Sequence, residues 1–171
     1  MAFDAARHHR RSVRLRDYDY AAPGAYFVTI CTRGRMGTLG ESTGERIVLS
    51  EAGLIAESTW ESLPSRFPSV QLDTFIVMPD HLHGIVALIR AGSPVTLGHL
   101  IRTFKGAAAR AVRVSVMPGF AWQRGYYERV VRGERELSAL RRYIEDNPRS
   151  SSQDVDDPWK APGRDESRPY G

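Results

Sequence analysis

The sequence predicts an α+β domain built on an antiparallel sheet backed by helices, and three observations point there. "VQLDTFIVM" (70–78) and "HLHGIVALI" (81–89) are two strand-like runs separated only by Pro79 and Asp80, which reads as a hairpin of sheet neighbours. "AYFVTICT" (25–32) is a third run rich in β-branched and aromatic residues. Between and after these runs lie segments whose apolar residues recur at helical spacing.

The elements follow in order. Residues 1–24 are polar and basic and end at the breakers Pro23 and Gly24, so they read as an N-terminal arm. After the first strand, "RGRMGTLGESTGE" is a long turn, and a short strand at 46–49 is expected to close a hairpin. Ser50 suits a helix N-cap, with Leu54, Ile55, Trp60 and Leu63 as the apolar positions and Pro64 as the stop. After the central hairpin, Leu97, Leu100, Ile101, Phe104, Ala108 and Val112 form one stripe, which predicts an amphipathic helix. "MPGFAWQRGYYERVVR" turns at Pro118 and Gly119 and becomes a strand ending near Val131. The last helix starts near Glu134, carries Leu137, Leu140 and Ile144 on one stripe, and is expected to stop at "DNP" (146–148). Residues 149–171 are rich in Ser, Asp and Pro and read as a mostly irregular tail, whose Trp159 could still dock on the domain. The order strand, helix, strand, strand, helix, strand is that of the ferredoxin-like (RRM-like) split βαβ arrangement, here with an extra C-terminal helix. One domain over 25–148 accounts for the chain's 171 residues.

Composition narrows the function. The apolar runs are far below the roughly 18 residues of a membrane span, and the N-terminus lacks the apolar stretch of a secretory signal, so the expected location is the cytoplasm. A single cysteine, Cys31, excludes an internal disulfide and reads as a buried strand residue. The net charge of +4 favours an acidic partner. An arginine-rich composition is also what a GC-rich genome yields, so distribution discriminates better: residues 96–147 hold ten basic side chains against five acidic ones, a net of +5.

His81 and His83 stand two apart on a strand, so they share a face and lie about 6.6 Å apart along it, a spacing from which two imidazoles can converge on a cation. On its own the pair reads more readily as a chance spacing, with one histidine making structural hydrogen bonds at the sheet surface. On the last helix Tyr143 and Asn147 are four apart and share a face. Locally, Tyr143 also reads as a half-buried helix aromatic and Asn147 as a cap before Pro148. Arg102, Lys105, Arg110 and Arg113 lie off the apolar stripe of their helix, and Arg124, Arg129 and Arg132 follow; together they form a candidate track for the phosphates of a nucleic acid. Trp122, Tyr126 and Tyr127 offer aromatic faces nearby. His99 reads as structural, and His8 and His9 fall in the arm.

The run "FIVMPDHLHGIV", then "LIRTFKGAAAR", then "WQRGYYERVVRGERELSALRRYIEDNP" with a later Trp resembles the single-tyrosine HUH transposases, and within them the REP-associated tyrosine transposases, from about Tyr26 to Pro148. The resemblance implies a site: His81 and His83 as ligands of a divalent metal, Mg or Mn, Asn147 as the third ligand, and Tyr143 as the nucleophile. It further implies strand transfer on single-stranded DNA and on hairpins of REP-like palindromes, through a 5′-phosphotyrosine, by a monomer or homodimer. Two other readings compete. A non-catalytic nucleic-acid-binding module would bind without metal and without Tyr143, and a metal-dependent hydrolase using water would form no covalent adduct.

Overall fold

The computed structural model describes residues 23–89 and 95–150. Its main sheet has four antiparallel strands, β1 (Gly24–Cys31), β4 (Val70–Val77), β5 (His81–Leu88) and β6 (Tyr127–Val131), in the order β4-β5-β1-β6. That order and the antiparallel pairing of β1 with both β5 and β6 are those of the expected ferredoxin-like sheet. The helices are α1 (Glu51–Glu61), α2 (Leu63–Arg66), α3 (Leu97–Ser115) and α4 (Glu134–Ser150). None is long and apolar enough to cross a membrane.

Side-chain alternation divides the interior into two cores. Tyr26, Val28 and Ile30 of β1, with Leu82, Val86 and Leu88 of β5, face α1 and α3, where they meet Trp60, Leu100, Phe104 and Val112. Phe27 and Ile85 point the other way and are covered by Leu140 and Ile144 of α4. The sheet is therefore buried on both faces, which explains why β1 reads as a continuous apolar run rather than an alternating one. All six apolar positions assigned to the second long helix are buried in α3.

Gly84 shows how closely the first core is packed. A Cβ at this position would lie 2.7 Å from Cζ2 of Trp60, so only glycine lets the α1 indole rest on β5. Ser50 caps α1 as expected: its Oγ accepts from Gly53 N at 3.1 Å and donates to Thr38 O at 2.7 Å.

Local expectations fail in four places. The short strand β3 (Ile47–Leu49) does not close a hairpin with β1; it pairs with β2 (Gly40–Ser42) in a separate two-stranded sheet. Its partner is chosen by Leu39, which is fully buried and whose carbonyl accepts from Ser50 N, tying this small sheet to the start of α1. Leu54 is about half exposed, because α1 packs through the small Ala52, Gly53 and Ala56 and through Trp60. Pro64 does not stop α1, which ends at Glu61; it sits in the first turn of α2, where its missing N–H costs nothing. Pro148 does not stop α4 either, since the helix runs through it to Ser150 with the loss of one backbone bond. The N-terminal strand boundary falls at Gly24, and the arm before residue 23, the tail after residue 150 and Trp159 lie outside the described residues.

Candidate active site

The two histidines are placed by the sheet. β1 and β5 pair Thr29 with His83 and Cys31 with His81, and His81, His83 and Ile85 all point to the α4 face. The two imidazole rings are 4.4 Å apart. Both residues are buried, His83 completely.

Each ring is held by its Nδ1. His81 Nδ1 donates to Asp80 Oδ1 at 2.7 Å, and Asp80 Oδ2 accepts from Arg35 Nε at 2.8 Å. A carboxylate only accepts, so the neutral His81 ring carries its proton on Nδ1 and has its lone pair on Nε2. Burial works to raise the Asp80 pKa, but the hydrogen bond from His81 and the charge and hydrogen bond of Arg35 outweigh it and bring the carboxyl below its ordinary value. His83 Nδ1 shares a 2.8 Å hydrogen bond with Thr29 Oγ1 across the strands. The Nε2 atoms of both rings are buried on the inner side of this arrangement.

Helix α4 brings the other two residues. The ring of Tyr143 lies 5.5 Å from that of His83 and 6.0 Å from that of Phe27, and Phe27 itself stacks on His83 at 5.4 Å. Asn147, one turn further along, is only 4% exposed. It is an interior helix residue rather than a cap, because α4 continues past Pro148.

Three contacts seat α4. Leu140 and Ile144 pack on Phe27 and Ile85. Arg129 Nη2 meets Glu136 Oε1 at 2.6 Å, and Arg141 forms two parallel bonds to the carboxylate of Asp73, at 2.9 and 2.7 Å. Asp73 lies at an irregularity between Leu72 and Phe75 where β4 breaks register with β5.

Among the described residues no group of three His, Cys, Asp or Glu side chains is positioned to hold a metal ion. The donors that fit a divalent ion are the two imidazole Nε2 atoms with the Asn147 amide oxygen, the remaining positions falling to substrate oxygens or water. The hydrogen bonds from Nδ1 to Asp80 and Thr29 are of the kind that orient ligating histidines. Asp80 and Thr29 were not legible as site residues: the first reads as the hairpin turn, and the second as one more β-branched strand position. The adjacency of Asp80 to His81 is the one signal the sequence carried.

The basic residues are distributed differently. Arg102, Lys105 and Arg113 line one open cleft of about 800 Å³ between α3 and the segment leading into β6. Arg102 and Arg110 are exposed on α3, and Arg124 and Arg132 are exposed at either end of β6. Lys105 Nζ donates to Gln123 O and Gly125 O, and Arg113 Nε donates to Phe120 O, so these two cations shape the cleft wall. Burial lowers the Lys105 pKa, partly offset by Cys31. Arg129 lies on the α4 face and is paired with Glu136. Of the two tyrosines that lead into and open β6, Tyr126 packs against the first core, whereas Tyr127 pairs with Thr29 and so shares the histidine face.

Residues 65–147 match the family model described as "Transposase IS200 like". An uncharacterized protein of Haemophilus influenzae Rd is 33% identical over 171 residues, covering 89% of this chain and 95% of its own. The fold superposes on the structure of a REP-associated tyrosine transposase bound to a REP hairpin, with a TM-score of 0.63 at 20% identity, covering 83% of this chain and 75% of the other. A second structure, of a candidate transposase from Deinococcus radiodurans R1, gives a TM-score of 0.50 at 18% identity, covering 78% of this chain and 95% of that one. With the family match spanning the histidine strand and the tyrosine helix, the chain belongs to the IS200-like transposase family.

Proposed function

We propose that this transposase nicks and rejoins single-stranded DNA, or the single-stranded foot of a hairpin, through a covalent 5′-phosphotyrosine on Tyr143. The observation that carries the reading is the docking of α4, which brings the Tyr143 ring to 5.5 Å from His83 with the buried Asn147 one turn away. The hairpin bound by the REP-associated neighbour supports REP-like palindromes as the substrate class.

In the forward step the Tyr143 oxygen attacks phosphorus, the tyrosyl O–P bond forms and the P–O3′ bond breaks. The phenolic proton leaves with the 3′ oxygen as a free 3′-hydroxyl. Rejoining is the reverse, with an incoming 3′-hydroxyl attacking the phosphotyrosine and returning the proton to Tyr143, so no external energy source is consumed. A divalent ion, Mg or Mn, held by His81, His83 and Asn147 would polarise the nonbridging oxygens and offset charge on the leaving oxygen. Packing of Phe27 against both the His83 and Tyr143 rings restricts the tyrosine to one approach, which is the orientational part of catalysis. Asp80 and Thr29 keep the imidazoles from rotating.

The test is a hairpin oligonucleotide with a single-stranded flank, incubated with Mg or Mn and resolved under denaturing conditions. A covalent protein-DNA adduct that chelator abolishes and that Tyr143→Phe lacks is the expected result. Cleavage with no adduct would replace this reading by a water-using hydrolase, and undiminished nicking in the His81→Ala, His83→Ala double variant would remove the metal.

A further inference from the structure

The cleft beside α3 and the Tyr143 site lie on opposite sides of the sheet. α3 packs on the face formed by Tyr26, Val28 and Ile30, and α4 on the face formed by Phe27 and Ile85. The residues lining the cleft include three cations, Arg102, Lys105 and Arg113, and no carboxylate. A cationic cluster that serves only the fold is ordinarily neutralised by acidic side chains, as Arg141 is by Asp73. In the cleft, Lys105 and Arg113 satisfy their donors on backbone carbonyls, which leaves the positive charge uncancelled. Such a concavity attracts an anion from outside. Its size, about 800 Å³, is far beyond a single phosphate, and Trp122 and Tyr126 contribute aromatic surface to its lining.

The wall of the cleft formed by Ala121, Trp122, Gly125 and Tyr126 runs directly into β6, an edge strand of the sheet. Exposed Arg124 lies in that wall segment, and exposed Arg132 follows the far end of β6. Cations therefore mark the route from one face of the sheet to the other around this edge.

Resting on the function given above, we propose that the cleft anchors the phosphodiester backbone of the same DNA whose scissile phosphate sits at Tyr143, the DNA passing around the β6 edge. With packed layers roughly 10 Å apart, a path from one face to the other around the edge spans at least about 20 Å. At 3.4 Å per nucleotide along a strand, that is on the order of six nucleotides.

Two labelled oligonucleotides test the path with the full chain: a long one, a hairpin with about fifteen flanking nucleotides, and a short one with no more than about four nucleotides on either side of the nick. Affinity is measured over a salt series for the wild type, Arg102→Glu and Arg124→Ala, all at exposed positions that leave the core untouched. For the long DNA, Arg102→Glu is expected to weaken binding roughly tenfold and to lower the log-log salt slope by about 1, with a smaller loss for Arg124→Ala. For the short DNA both variants are expected to bind as the wild type does. Unchanged affinity and slope on the long DNA would overturn the cleft as a contact. Equal weakening on both lengths would place Arg102 beside the scissile phosphate and overturn the path around β6. A length-dependent loss in a protein that forms no adduct would support the cleft while removing the Tyr143 chemistry, so the two readings fail separately.

Discussion

Arg141 and Asp73 are 68 residues apart in the chain and form a two-pronged ion pair, Nε to Oδ1 at 2.9 Å and Nη2 to Oδ2 at 2.7 Å. The pair fastens α4 to β4 two residues before Tyr143, so it fixes the register of the proposed nucleophile over His83. Because a displacement of about 1 Å can cost on the order of a hundredfold in rate, Asp73→Asn is expected to slow adduct formation at least about tenfold. Its circular dichroism and DNA affinity should stay near those of the wild type, and a charge-swapped Asp73→Arg, Arg141→Asp pair should recover part of the rate. Adduct formation at the wild-type rate in Asp73→Asn would show that hydrophobic packing alone seats the helix.

The same pair has a pH signature. The Arg141 hydrogen bond, opposed by burial and assisted by Thr74, lowers the Asp73 carboxyl to about 2 from 3.8. A folded-state pKa below the unfolded value contributes stability that is fully present above the unfolded pKa and is lost as pH falls toward the folded one. The difference in thermal midpoint between wild type and Asp73→Asn should therefore be constant above about pH 5 and shrink between about pH 4 and 2. A difference that persisted below pH 2 would mean that the asparagine acts through packing.

Thr29→Val removes the hydroxyl bonded to His83 Nδ1 while keeping the shape of the side chain. Loss of an outer partner of a ligating histidine typically costs about 10–100-fold in metal affinity, and Asp80→Asn should fall in the same range. Titration with Mn monitored by paramagnetic resonance reads this directly, without reference to turnover. Wild-type Mn affinity in both variants would show that the rings are held by packing against Phe27 and Tyr143.

Tyr127 shares the histidine face through its pairing with Thr29, so facing alone does not choose between it and Tyr143. The Tyr143 ring lies against both His83 and Phe27, which is why it is the proposed nucleophile. Peptide mass mapping of the trapped adduct is expected to place the nucleotide on Tyr143, and Tyr127→Phe should form adduct in full yield. A nucleotide on Tyr127 would reassign the nucleophile.

Gly84→Ala would set a methyl 2.7 Å from the Trp60 ring. Overpacking of this kind costs about 1–3 kcal/mol, read as a lower thermal midpoint. An unchanged midpoint would mean that α1 can shift away from β5 without penalty.

The sequence by itself determined the four strands of the main sheet and the helices α1, α3 and α4, because period-2 and period-3.6 patterns are local, whereas β2 and α2 are too short to carry one. It determined that His81 and His83 share a face, since strand geometry leaves no alternative two residues apart. It also placed Tyr143 and Asn147 on one side of a helix. Local rules failed where a distant partner intervened: buried Leu39 draws β3 to β2, and α4 runs through Pro148 while packed on the second core. Which face of the sheet α4 would cover was not legible from local pattern, because β1 and β5 carry apolar residues on both faces; only the resemblance put Tyr143 and Asn147 with His81 and His83. Only the tertiary structure decided it, through contacts such as Asp73 with Arg141 that join residues no local pattern connects. That choice set Tyr143 against His83 and put the basic cleft of α3 on the far side, because a sheet buried on both faces separates the two helices that cover it.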